Sequence, residues 1–349
     1  MGDIVIFIGV ISTLIFFHEL GHFIAAKSFG IKVESFSVGF GKKLLTKHYK
    51  GTEWSISLIP FGGYIMMKYD LSNFSKSKEN SDNLAILHPL KKIVISFAGP
   101  FANIIVAFVI CVFIGMMEHK EGSTKIGSIG LNSSAHLAKL QVGDKIISIN
   151  GEKVRFVRDY IKISKVQQYR PFNMIIERNG HQKSVVVIPK VLESKDFFGN
   201  SYKKNVLGVT FVGNILVSFD FFESIFYGYE RVVSETKVVL FELKKLLVGT
   251  TSSSEFGGIV TMGKVVLVAS ESGLVVFLGI TALISINIAV FNLLPIPAFD
   301  GGQILIHLYE LCTTKIVSEK IQDILTYLSL VVIFGILALG LYNDFNRYF

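Results

Sequence analysis

Apolar positions in this chain gather into long runs at four places and alternate with polar ones in between. Residues 4–27 form a run long enough to cross a bilayer as a helix. Similar runs over 93–117, 274–294 and 324–341 predict three more spans. Between the first two, the alternation switches to a period of two over Val33 to Phe40, Leu44 to Tyr49 and Trp54 to Ile59. Lys50-Gly51 is a turn, and Phe61 to Met67 closes the series. This predicts short β-strands joined by glycine turns, too apolar for a solvated loop and so dipping toward the bilayer against the first span. Ser72 to Asn83 is polar and reads as a linker. Over 119–217 the charge density rises and strands return. Residues 222–248 mix charges with aromatic and aliphatic residues, which predicts an amphipathic helix at the outer interface. Gly257-Gly258-Ile259 then leads into a further apolar helix.

The pattern predicts a polytopic α-helical membrane protein with about four transmembrane helices, a membrane-associated β-hairpin region and one inserted α+β domain. Its divisions fall at 1–118, 119–217 and 218–349. Composition agrees. Of the 349 residues, 50% are hydrophobic and only 18% charged, and mean hydropathy is +0.52, whereas a soluble chain carries about 25% charged residues. The net charge of +8 comes from scattered basic residues flanking the apolar runs. With no recognition motif among them, nucleic acid is not an expected partner. Cys111 and Cys312 stand far apart and predict neither a disulfide framework nor a metal-binding pair. Met1-Gly2-Asp3 lacks a positive leader region, so the first run reads as a retained span. Eleven lysines against five acids over 27–92 place that loop on the cytoplasmic side, with both termini and the inserted domain outside.

The candidate chemistry begins inside the first run, at His18-Glu19-Leu20-Gly21-His22. On a helix, positions i and i+4 share a face, so two imidazoles can reach one metal ion. Glu19, one step round, can act as base toward a water on that metal. Ionisable groups inside a span are costly, and by default they mark function; a polar knot between helices is the plain alternative. His18 falls about 20 Å along a hydrocarbon core about 30 Å thick, nearer the cytoplasmic face. The third span ends in Asn292-Leu293-Leu294-Pro295-Ile296-Pro297-Ala298-Phe299-Asp300-Gly301-Gly302, where two prolines stop the helix and glycines let the chain bend. Asp300 either caps the next helix or returns to the depth of the histidines as a third ligand. Three protein ligands with an open position mark a catalytic zinc site. Within Gly99-Pro100-Phe101-Ala102-Asn103, glycine and alanine allow close helix approach, and Asn103 can hydrogen-bond between helices; packing is its plainer role and a direct catalytic one the alternative. A free edge of the β-region could take an extended substrate as an added strand, or the region could be a surface hairpin without that role.

Two resemblances sharpen these readings. Ala138 to Glu152, with its Gly143-Asp144 pair, and the hairpin from Arg170 to Ile188 resemble a PDZ domain, although Lys139 stands where many PDZ sequences have glycine. Such a domain could bind peptides, filter substrates by size or serve as a spacer. Nearly the whole chain resembles the site-2 proteases, the intramembrane zinc metalloproteases, and most closely the bacterial group typified by the regulator of sigma-E protease. The matching segments are His18 to His22, Ser37 to Gly41, Pro60 to Tyr64, Gly99 to Asn103 and Asn292 to Gly302, with phenylalanine at 299 replacing a usual leucine.

The resemblance implies Zn2+ held by His18, His22 and Asp300, Glu19 as general base and acid, and Asn292 near the oxyanion. It also implies substrate contacts at Gly39, Phe40, Gly41, Gly62, Gly63 and Tyr64. The implied location is the bacterial inner membrane. The implied substrates are single-span proteins such as anti-sigma factors or remnant signal peptides, already cut outside by another protease. A metal-ion transporter would use the same ligands but predicts paired broken helices in inverted repeats, and the sequence has one broken helix and no repeat. A catalytically inactive scaffold would not need Glu19.

Overall fold

The computed structural model describes residues 2–68, 84, 87–166, 170–195, 201–248, 258–315 and 317–348. The chain opens with helix α1 (Gly2–Ser28), strands β1 (Val33–Tyr49) and β2 (Thr52–Met67), and helix α2 (Pro89–Met116). The polar linker expected at 72–83 lies outside the described residues. Then follow β3 (His119–Gly122), β4 (Ile126–Ile129), α3 (Ser134–Leu137), β5 (Lys145–Ile149), β6 (Glu152–Lys153), α4 (Val157–Val166), β7 (Phe172–Arg178) and β8 (His181–Val187). Next come β9 (Lys190–Lys195), β10 (Ser201–Val206), β11 (Val209–Phe211), β12 (Asn214–Val217) and α5 (Phe221–Val248). Helices α6 (Ile259–Glu271), α7 (Leu274–Asn292), α8 (Asp300–Thr313) and α9 (Glu319–Tyr348) complete it.

Among the described residues, four helices are long and apolar enough to cross a membrane: Val5–Ser28, Pro89–Met116, Leu274–Asn292 and Lys320–Tyr348. They correspond to the four runs predicted from sequence, the last extended at both ends. The chain divides into two compact units, one of residues 1–112 with 256–349 and the other of 113–255. Helix α5 therefore belongs with the inserted strands, whereas the sequence divisions group it with the last spans.

In the first unit, α1 is packed on both sides. Phe7, Val10 and Leu14 bury against Val266 of α6 and Ile284 of α7. On the other side, Phe16 and Phe23 meet Phe36, and Phe23 also meets Trp54, at ring-centroid distances of 5.0–5.8 Å. These aromatics pin the β-region to the helix. The expected short strands are two long bent ones, joined at Lys50-Gly51 with positive φ at both residues, the geometry that matches strand twist. The second half of β1 pairs with the first half of β2 across this turn, and Val33 to Val38 pair with Gly63 to Met67. The same early run also lies beside a third segment, with Ser35 opposite Glu53 and Val38 opposite Ile56. The run from Val33 to Val38 is therefore interior, and Gly63 to Met67 forms one of the two edges. At the far end of the chain, Asp344 of α9 accepts hydrogen bonds from the backbone N–H groups of Gly258, Val260 and Thr261 at 2.8–3.3 Å and from the Thr261 hydroxyl. It caps α6 from another helix.

In the second unit, a sheet ordered β6-β5-β7-β8 closes over a core including Ile126, Ile146, Ile149, Phe172, Met174 and Ile176, all fully buried. The predicted hairpin is present, turning at Asn179-Gly180 with positive φ at both. Asp144 is buried and accepts from the Gln141 N–H at 2.8 Å and twice from Arg178 at 2.7 Å. Several charges read as an interfacial face of α5 are ion-paired within this unit. Glu230 meets Arg155, Glu235 meets Lys162 at 2.5 Å, and Tyr227 accepts from Arg158 at 2.7 Å. Burial holds the Lys162 ammonium below the ordinary lysine range, the facing Glu235 offsetting only part of the cost.

Candidate active site

Three elements far apart in sequence meet at one point of the first unit. Helix α1 contributes His18 and His22, both buried, and half-buried Glu19 between them. The α7–α8 turn contributes Asp300. Phe299 is the N-cap of α8 and Asp300 its first residue, so the Asp300 carboxylate is aimed at the histidines and does not cap its own helix. Its Oδ2 lies 3.1 Å from His18 Nε2, and its Oδ1 lies 3.3 Å from His22 Nε2. The two Nε2 atoms are 3.3 Å apart. One donor atom from each residue lies within 4.8 Å of the others. Two imidazoles and a carboxylate converging this closely can hold a divalent metal ion in a three-ligand site.

The neighbouring elements explain why the side chains point there. Helix α2 passes α1 at close range. A Cβ on Gly21 would lie 2.3 Å from the Ala98 carbonyl oxygen, and one on Gly99 would lie 2.3 Å from His22 Nε2. Only glycine fits at either place. The carbonyl of Ile95 accepts from His22 Nδ1 at 2.8 Å. With its proton on Nδ1, His22 turns the bare Nε2 lone pair toward Asp300, the tautomer that a metal ligand requires. The donor set and this hydrogen bond both fit a bound metal. Asn103 of α2 is fully buried, with Nδ2 at 3.4 Å from His18 Nδ1, and its own carbonyl accepts from Ser285 of α7 at 2.8 Å.

Behind Asp300, the turn is compact because both following glycines touch backbone. A Cβ on Gly301 would meet the carbonyl oxygens of Leu293 and Leu294 at 2.3 Å, and one on Gly302 would meet that of Ile296 at 2.3 Å. A second link runs from α8 to α2, where Glu310 faces Lys92 at 3.4 Å and His307 at 3.1 Å, with Lys92 and Glu310 buried.

The structure joins His18, His22 and Asp300 and brings one β-region residue to Glu19. A Cβ on Gly63 would lie 3.2 Å from Glu19 Cγ. Gly39, Gly41 and Gly62 all have positive φ, which accounts for glycine at those positions. Phe40 stacks on Tyr64 with centroids 6.3 Å apart. Asn292 is the half-buried last residue of α7 and, among the described residues, hydrogen-bonds to none of the three converging side chains. The Ile95 carbonyl was missing from the sequence reading, since every residue carries one and nothing in the letters marks it.

Comparison with known proteins accords with this geometry. Residues 6–336 match peptidase family M50. The chain belongs to this family, the site-2 proteases. It is 38% identical to a Campylobacter jejuni protein over 97% of this chain and 92% of that one. It is 32% identical to a Helicobacter pylori protein over 97% of each, and 30% identical to a Rickettsia conorii protein over the full length of both. All three bear the name "Putative zinc metalloprotease".

Proposed function

We propose that this chain is an intramembrane zinc metalloprotease that hydrolyses a peptide bond within a transmembrane segment of another protein. The observation that carries the reading is the convergence of His18, His22 and Asp300 beside Glu19, on or next to helices apolar enough to span a bilayer. His18 Nε2, His22 Nε2 and an Asp300 oxygen would hold the zinc. When bound, zinc polarises the scissile carbonyl and acidifies the attacking water. Glu19 accepts the proton of that water as oxygen adds to the carbonyl carbon, then delivers it to the leaving nitrogen as the C–N bond breaks. Asn292, at the end of α7, is assigned to the developing oxyanion.

A helical substrate must first unwind, because its carbonyls are hydrogen-bonded and screened. The edge from Gly63 to Met67 has one side paired with Val33 to Val38, and it begins beside Glu19. An unwound segment added to that edge replaces its lost helical hydrogen bonds with strand bonds next to the base. Gly39 to Gly41 and Gly62 to Tyr64 shape this end of the sheet. An apolar cavity of about 620 Å³ between α1 and the strands, lined by Phe16, Phe36, Val38 and Trp54, can take an apolar side chain of the segment.

The second unit is read as PDZ-like. Its element order and its Gly143-Asp144 turn, with Asp144 buried, support this. Lys139 adopts φ 59°, the left-handed region that favours glycine, so it keeps the backbone bend of the residue it replaces. Its role is to restrict access to single-span substrates shortened by an earlier extracytoplasmic cut, in regulated intramembrane proteolysis at the inner membrane. Bacterial relatives spanning the whole chain support that location.

The test uses purified full-length protein in detergent, a single-span substrate, and wild type against Glu19→Gln, with zinc measured in the same samples. The expected result is cleavage by wild type alone, with about one zinc per chain in both. Cleavage by Glu19→Gln, or an absence of zinc from wild type, overturns the assignment.

A further inference from the structure

Asn103 is an unusual residue to find where it is. It sits in the middle of a predicted span, fully buried, and among the described residues its Oδ1 has no hydrogen-bond partner. A buried amide oxygen without a partner loses its water hydrogen bonds and gains none in return. Its Nδ2 meets His18 Nδ1 at 3.4 Å, and its main chain is tied to Ser285. The amide is thus held against one particular ring nitrogen of one candidate ligand.

The two histidines are served differently. His22 Nδ1 faces a carbonyl, which can only accept, so its proton is fixed on Nδ1 and Nε2 is free to ligate. His18 Nδ1 faces a side chain that can donate or accept, because the two ends of a primary amide have nearly the same shape. With Nδ2 toward the ring, His18 Nδ1 must accept, its proton sits on Nε2, and Nε2–H donates to Asp300 Oδ2. That tautomer cannot give Nε2 to a metal. A half-turn of the amide brings the orphaned Oδ1 to His18 Nδ1 instead. The proton then moves to Nδ1, and the Nε2 lone pair is released beside that of His22. One end of the amide lacks a partner either way; what the half-turn changes is the tautomer of His18.

We propose that Asn103 is a positioning residue for the metal centre, presenting Oδ1 to His18 Nδ1–H and so holding His18 in its ligating tautomer. The inference rests on the zinc reading given above. Other groups of this kind, one shell behind a metal, change affinity by about 10–100-fold when removed.

The experiment measures zinc affinity by chelator competition on the purified full-length protein, for wild type, Asn103→Leu and Asn103→Asp. Leucine approximates the shape without any hydrogen bond, and aspartate offers acceptors alone. The expected result is affinity at least about 10-fold weaker in Asn103→Leu and retained within a few-fold in Asn103→Asp. In parallel, 15N-histidine spectra of zinc-loaded wild type, with His18 assigned by its loss in His18→Gln, are expected to show the His18 proton on Nδ1. This arm stands even if Asn103→Leu fails to fold. Unchanged affinity in Asn103→Leu, or a zinc-loaded His18 protonated on Nε2, overturns the proposal while leaving the protease reading intact. Wild type that takes up no zinc overturns the metal centre itself and this inference with it.

Discussion

Gly99 is the wall against which the His22 imidazole rests, since a single added carbon would lie 2.3 Å from Nε2. Two effects compete in Gly99→Ala. Alanine favours the α2 helix by about 1 kcal/mol over glycine, but a 2.3 Å contact cannot be kept and the ring must move. The expected outcome is a folded protein that has lost most of its bound zinc and its cleavage, checked by metal analysis alongside circular dichroism. A Gly99→Ala variant with full zinc would disprove the close packing of α2 on the site.

Beside Asp300, Gly301→Ala places its methyl 2.3 Å from two backbone oxygens at once. Backbone cannot swing aside as a flexible side chain can. The turn must open, carrying Asp300 away from the histidines. Zinc content is expected to fall with thermal stability, whereas a substitution such as Gln303→Ala on the same helix removes one hydrogen bond, to the Pro297 carbonyl, and is expected to spare the metal.

Asp344→Ala removes the cap that α9 supplies to α6. Losing an N-cap costs about 0.5–2 kcal/mol. The expected result is a lowered unfolding temperature in detergent with the zinc content of the surviving folded protein unchanged. Loss of zinc in step with the cap would show instead that α9 supports the centre.

The second unit carries a pH-dependent contact in Asp144. Burial raises its pKa, but the Arg178 hydrogen bonds and the Gln141 N–H outweigh that, and the carboxyl is held below its ordinary value. A group whose folded pKa is depressed stabilises the fold fully above its unfolded pKa of about 4 and loses that contribution as pH falls through the lowered value. Amide protection factors in β5 and β7, corrected for the intrinsic slowing of exchange in acid, are expected to fall below about pH 4 in wild type. In Asp144→Asn they are expected to be lower already at about pH 7 and to change less in acid.

What could be read in advance followed from local spacing. His18 and His22 share a face because they are four apart, and Pro295, Pro297, Gly301 and Gly302 announce a break that leaves Asp300 at a helix start. The two-residue turn at Lys50-Gly51 was legible for the same reason. Other features depend on pairings that no short window contains. That Val33 to Val38 would have neighbours on both sides is a matter of register across distant segments. Helix α8 was not placed as an element, and its Glu310 finds Lys92 on α2 only through the tertiary packing. Glu230 and Glu235 of α5 looked like a surface because their partners, Arg155 and Lys162, lie 75 and 73 residues earlier in the sequence.

The first unit is discontinuous in sequence: residues 113–255 separate His18 and His22 from Asp300. This order imposes a schedule on synthesis. A ribosome finishes the first two apolar helices and the whole inserted unit before it reaches Asp300. Until then the growing chain carries His18, Glu19 and His22 without the carboxylate that converges on them. The cluster is assembled only when the last part of the chain has been made and folded back against the first.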